Sequence, residues 1–241
     1  MDGIKLATLF SYMPNKLKYC GPKDASTIFQ NYLKNNIGQE KAKELLIKFE
    51  ALYPYLEIIA EKNSKDPFCY EVVESYWLGN ELADLDKQAA IKLIGMLTKR
   101  GLLESTAKDL IQKIKGLDEK EIPLTHLFNV MFVGVGAVTG SVPTIIENMD
   151  KCRVSYDTIC EINDSYLIVE HNRLKNDNGK YFISETAEKI KVSYDKNLLK
   201  DLNIREVVAV HWGSAVKKLN SKELNNLRNY TQKVIELISK P

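Results

Sequence analysis

The spacing of the apolar residues changes once along this chain, near residue 149, and that change limits the folds open to it. Before it, apolar residues recur three and four apart, as on the buried face of an amphipathic helix. After it they alternate or run together over short stretches, as strands do. Helical spacing covers Asp24 to Asn35, Gln39 to Phe49, a stretch opened by Pro54, another opened by Pro67 and stopped at Gly79, Asp86 to Lys99, and Ser105 to Lys115. Asp24 and Ser26 are cap-competent, Gly38 is a stop, and proline is tolerated in a first helical turn. Residues 1–120 therefore read as all-α. Strand spacing covers Arg153 to Ile162, Ser165 to Arg173, Lys180 to Ser184, Thr186 to Tyr194 and Glu206 to Trp212, with turns at Asn163-Asp164 and Asn176-Asp177-Asn178-Gly179. The last of these strands is almost continuously apolar, which predicts an interior place in a sheet or barrel. A final helix follows Asn220 or Ser221 and buries Leu224, Leu227, Tyr230, Val234, Leu237 and Ile238. The expected fold is α+β: an all-α N-terminal domain over 1–149, then a small OB-like β-barrel with a C-terminal helix over 150–241.

From Ile122 to Ile146 there is no Asp, Glu, Lys or Arg, a length that would permit a membrane span. His126, Asn129, Pro143, Gly134, Gly136 and Gly140 argue instead for a buried helix, a turn and a second short helix. The three glycines do not make a dinucleotide fingerprint, because their spacing is wrong and no βαβ context surrounds them. With 34 basic and 32 acidic residues the net charge is +2, too small a field to expect nucleic acid as a partner. The opening MDGIKLATLF lacks the order of a secretory signal. The expectation is a cytoplasmic protein, not membrane-bound, whose cysteines Cys20, Cys69, Cys152 and Cys160 are free thiols or ligands.

Two groups of residues are chemically suggestive. In the helical half, Cys20 stands between Tyr19 and Gly21-Pro22, Trp77 ends an apolar helix, and His126 lies in the uncharged run. Together they are candidates to line a cofactor-binding pocket, although each also has a structural explanation: a loop thiol, a packed helix end, a satisfied core histidine. In the β half, Cys152 and His211 are candidate metal ligands, with a buried cysteine and a carbonyl-bonded histidine as the structural alternative. Catalytic residues are not assigned, and a non-enzymatic role is the expectation. Cys69 falls in a helical apolar pattern and reads as core. Cys160 is too far along an unbroken strand from Cys152 to chelate with it.

Val208, Val210, His211, Gly213, Ala215, Lys218 and Leu219, followed by the helix from Ser221 to Ile238, carry a resemblance, as do the distances from Cys152 to Ile159 and Ile162. With these residues the C-terminal part resembles the HypC/HupF family of small nickel–iron hydrogenase maturation chaperones. Two departures accompany the match: Cys152 is internal, preceded by Asp150-Lys151, and Tyr156-Asp157 stands where the family has Pro-Gly. The YCGP segment at Tyr19 and the SYWLGN segment at Ser75 are similar to those of an uncharacterised helical family fused to such a domain. The resemblance implies a β-barrel with a C-terminal helix, Cys152 as ligand to an iron bearing cyanide and carbon monoxide, His211 beside it, and a maturation protein or hydrogenase subunit as partner. It makes the chain an accessory protein of metallocentre assembly. The other reading of the residues is a small-ligand binder or enzyme with its pocket in the helical half.

Overall fold

The computed structural model describes residues 1–239 and is mixed α+β. Helix α1 (Gly3–Lys16) opens the chain, capped by Asp2, whose side chain accepts from the Lys5 amide. Sequence spacing did not reveal this helix, because Pro14 lies inside it. A proline has no N–H, so its bond to the carbonyl four residues back is missing. Here that carbonyl is Phe10's. Then come α2 (Ala25–Asn35), α3 (Gln39–Leu46), α4 (Leu52–Asn63), α5 (Tyr70–Leu78), α6 (Lys87–Thr98) and α7 (Glu104–Gly116). The pattern opened by Pro67 begins helical hydrogen bonding only at Tyr70, so Cys69 is a half-buried N-cap residue rather than core. Asp24 adopts the left-handed conformation and makes no capping bond.

The all-α reading of residues 1–120 needs one amendment. Strand β1 (Asp84–Asp86) pairs antiparallel with β2 (Glu121–Pro123), and this short ribbon carries the chain into the uncharged run. That run holds one helical turn, α8 (His126–Phe128), a π-helical turn over Asn129–Gly134, and a loop leading to α9 (Ile146–Cys152). Among the described residues no helix is long and apolar enough to cross a membrane.

The C-terminal part is built on five strands hydrogen-bonded in the order β3 (Ser155–Ile162), β4 (Tyr166–His171), β7 (Glu188–Ser193), β9 (Ser214–Lys218), β8 (Val207–His211), with β8 returning to β3 so that the sheet closes. All contacts are antiparallel except β7–β9. A separate hairpin, β5 (Leu174–Asp177) and β6 (Lys180–Ile183), turns at Asn178-Gly179, where both residues have positive φ, as a type I′ turn needs. Helix α10 (Ser221–Ile238) begins with a full capping box between Asn220 and Glu223.

Two cores result. Ile159, Leu167, Val169, Val192, Val208, Val210 and Ala215 fill the inside of the closed sheet. Cys152, Val154, Ala209, Trp212, Val216 and Leu219 face the other way and join the large core of the helices. The seam between the helical and β halves is therefore buried, and it contains the chemically suggestive residues.

Candidate metal centre

Three segments far apart in sequence meet at this seam. His126 is the first residue of α8, fixed after the Thr125 N-cap; Cys152 is the last residue of α9; His211 ends β8. All three side chains are buried, and their ligand atoms lie within 4.8 Å of one another. The Cys152 Sγ is 3.7 Å from His126 Nε2 and 4.0 Å from His211 Nε2. Bond lengths of about 2.3 Å to sulfur and about 2.0 Å to nitrogen put the two atoms about 3.6 Å apart around a tetrahedral ion. The spacing thus fits a single transition-metal ion with little movement.

Each histidine is oriented by an orphaned carbonyl. His211 donates Nδ1–H to the Phe10 carbonyl at 2.9 Å, the group that Pro14 leaves without a helical partner. The Nε2 lone pair of His211 is thereby free on the side of Cys152. His126 Nε2 lies 2.8 Å from the carbonyl of Cys152, at the C-terminus of α9 where helical N–H donors run out, and donates to it. Its Nδ1 then accepts from the Tyr76 hydroxyl at 3.0 Å. Metal binding at His126 Nε2 requires the proton to move to Nδ1, with Tyr76 oxygen accepting.

Burial sets the protonation of the cluster. It pushes His126 down to about 4 against the weaker effect of its bond to the Cys152 carbonyl, and it pushes His211 well below the ordinary range, helped by His126 beside it. Both imidazoles are neutral at pH 7 and keep a lone pair. Burial raises the Cys152 thiol to about 12, opposed by a hydrogen bond from the Trp212 side chain. Without a cation the sulfur is a thiol; a coordinated ion would remove its proton.

The cluster lies on one wall of a cavity of about 70 Å³, which Cys20, Trp77 and Trp212 also line. The Trp77 ring stacks on Phe10 at 4.8 Å and packs against His126 at 4.5 Å. Cys20 is carried on a loop held by Asn15, which donates to the carbonyls of Cys20 and Pro22 at 2.9 and 2.8 Å. Its thiol is held protonated by burial, then by the proximity of Cys152 and Glu50. Cys20, Trp77, His126, Cys152 and His211 therefore surround one cavity, not a helical pocket and a separate metal site. Cys160 lies elsewhere, on β3, and the chain bends between it and Cys152 rather than running as one strand.

Sequence reasoning missed Tyr76 as a histidine partner, Trp212 at the thiol, and Phe10 with Pro14. It also missed the charged network that anchors α9. Asp150 accepts from Arg153 Nε at 2.9 Å, His171 Nε2 at 3.1 Å and the Leu174 amide at 2.8 Å, while His171 Nδ1 lies 3.0 Å from Asp157. A proline inside a helix-length apolar segment was the available signal for the freed carbonyl.

Neither the curated proteins nor the solved structures contain a significant match to the chain. The model of one protein family, described as a family of unknown function, matches over residues 1–241, and the chain belongs to that family, DUF6390.

Proposed function

We propose that this protein binds one transition-metal ion through His126, Cys152 and His211 and serves as an accessory protein of metallocentre assembly, with a hydrogenase-type iron fragment as cargo and a maturation protein or hydrogenase subunit as partner. The observation that carries the metal-binding part is the meeting of three buried ligand residues, from α8, α9 and β8, with their ligand atoms within 4.8 Å of one another. One thiolate with two imidazoles suits iron, copper and zinc, so the donor set accommodates iron without selecting it. The assembly role and the HypC-like, OB-like character of the barrel are supported by the C-terminal motif and by the closed order of the five strands.

The chain's own residues do the binding chemistry. His211 is presented with its lone pair inward by Phe10; His126 shifts its proton toward Tyr76; Cys152 gives up its proton as the ion arrives. Bound there, the ion would supply an open coordination position facing the cavity. Cys152 is only 9% exposed, so handover of cargo requires the seam around α1 and the π-helical turn to open to the partner.

The same burial favours a second reading, in which the ion is resident and the cavity beside Cys20 and Trp77 admits a small ligand, as in an enzyme or sensor. Infrared spectroscopy separates the two. After anaerobic co-production with hydrogenase maturation proteins, the wild type is expected to show cyanide and carbonyl stretching bands that Cys152→Ala lacks. No bands in the wild type, or bands fully kept in the variant, would remove the iron-carrier role and leave the second reading.

A further inference from the structure

The geometry points to Cys20 as the transfer ligand of the metal site, a thiol that takes the ion first on entry and holds it last on exit without being a ligand at rest. The inference rests on the metal-binding reading of His126, Cys152 and His211 and adds the route to that same site. Three observations lead to it.

The first is access. His126, Cys152 and His211 are all buried, so an ion reaches them only past the wall of the cavity. Cys20 is half-buried and lines that cavity. Among the described lining residues that keep some exposure it is the one sulfur; the others are Tyr19, Ala51, Asn129, Gly136, Thr139 and Val142. None of the described lining residues is acidic. A soft cation moving past such a wall has no counter-charge, and a thiolate supplies both a soft donor and the missing negative charge.

The second is placement. The loop that carries Cys20 follows α1, on the seam that has to open for handover, and it is fixed from several sides. Asn15 also accepts from the Ser26 amide at 2.6 Å, the Gly21 amide donates to the Glu50 carboxylate at 2.8 Å, and the Ser141 hydroxyl donates to the Tyr19 carbonyl. Gly21 has a φ of +80°, and a Cβ there would lie 2.4 Å from the Phe49 ring, so glycine lets the loop seat against the core. The Tyr19 ring packs at 4.5 Å on Trp212, whose side chain bonds the Cys152 thiol. Cys152 is near enough to act on the Cys20 proton.

The third is that the Cys20 thiol is not committed. The contacts that hold the loop use the Cys20 carbonyl and groups of its neighbours. Nor does Cys20 belong to the trio whose ligand atoms lie within 4.8 Å of one another. The passage then balances. On entry the Cys20 S–H bond breaks, the proton leaves to water and a sulfur–metal bond forms. Next the Cys152 sulfur bonds the ion and passes its own proton to Cys20, whose bond to the ion breaks. Cys20 ends as a thiol, the metal keeps its oxidation state, and one proton is released in all.

The test is stopped-flow measurement of zinc passing from a chromophoric chelator to the full chain, and back to a stronger chelator, in wild type, Cys20→Ala and Cys20→Ser. A group that only eases passage changes both rates by the same factor, so uptake and release should each slow about tenfold in both variants, with zinc affinity unchanged. Rates equal to or faster than those of the wild type would overturn the inference. So would a loss of affinity, which would make Cys20 a resting ligand, or slowing confined to Cys20→Ala, which would make it a packing effect. If the wild type takes up no zinc, or Cys152→Ala binds it as tightly as the wild type, the metal reading itself fails and the route fails with it.

Discussion

Pro14 shows how a single residue prepares a distant site. By withholding an N–H from the Phe10 carbonyl it leaves an acceptor at the seam, and His211 takes it, which fixes the ring and the tautomer. Groups that orient a metal-binding histidine in this way typically affect metal affinity by 10- to 100-fold. Pro14→Ala restores a competing N–H, and the expected outcome is a roughly tenfold loss of zinc affinity in a chelator competition with helix content retained. Unchanged affinity would count against the anchoring role. Cys152 allows a second prediction at this scale. With its thiol at about 12 and His126 at about 4, metal uptake at pH 7 displaces only the thiol proton. Calorimetry in buffers of different ionisation enthalpy should therefore show about one proton released per ion, and apparent log affinity should rise about one unit per pH unit between about pH 6 and pH 9. Release of no proton would mean that sulfur is not a ligand.

The β8–β9 hairpin carries both a ligand and its neighbour. Trp212 and Gly213 have φ of 50° and 69°, the paired left-handed conformations of a two-residue type I′ turn between the partners His211 and Ser214. The Trp212 amide donates to the Lys151 carbonyl at 2.8 Å, so the turn is tied to the end of α9 just before Cys152. A Cβ on Gly213 would meet nothing within 4 Å, whereas one on Gly136, in the loop beside the cavity, would lie 2.0 Å from the Val142 carbonyl oxygen. Gly213→Ala should accordingly cost only the left-handed penalty of about 1–2 kcal/mol. Gly136→Ala must displace backbone as well, and should cost more than about 4 kcal/mol or prevent folding, as urea denaturation would show. Equal, small effects would contradict the close packing of the 134–144 loop. Much at this scale was legible in the sequence, since α2 to α7, α10 and five of the strands follow from spacing, although of these helices only α6 and α10 carry a side-chain cap. The exceptions have physical causes. Proline hid α1, β5 and β9 are too short and mixed to show a period, and β1 and β2 form only by pairing across residues 84–123.

At the scale of the molecule the two halves share the large core, and the seam is braced by buried charge as well as by apolar packing. Burial alone would lower His171, but the hydrogen bonds it donates to Asp150 and Asp157 and the charge of Asp157 hold it up at about 9, against the opposing charge of Arg153; Arg173 also pairs with Asp150. Since the folded value exceeds the unfolded one of about 6.5, this stabilisation is complete below pH 6.5 and is lost as pH rises toward 9. His126 works in the opposite sense: its folded value of about 4 removes stability as pH falls from 6.5 toward 4. Thermal unfolding should therefore show a maximum near pH 6.5, and His171→Gln should abolish the alkaline decline, costing about 2–3 kcal/mol at pH 6 and much less at pH 9. An equal cost at both pH values would contradict a charged His171. The cavity was legible residue by residue, since Cys20, Trp77, His126, Cys152 and His211 all stand out in sequence. Their convergence was not, because it depends on α1 packing against β8 and β9, and no local spacing encodes that contact. The central claim is that His126, Cys152 and His211 bind one ion, and X-ray absorption at the zinc edge on protein loaded with one equivalent tests it most directly. The account predicts one sulfur at about 2.3 Å and two imidazole nitrogens at about 2.0–2.1 Å, with the sulfur lost in Cys152→Ala. A shell with no sulfur, or one unchanged by that substitution, would contradict it.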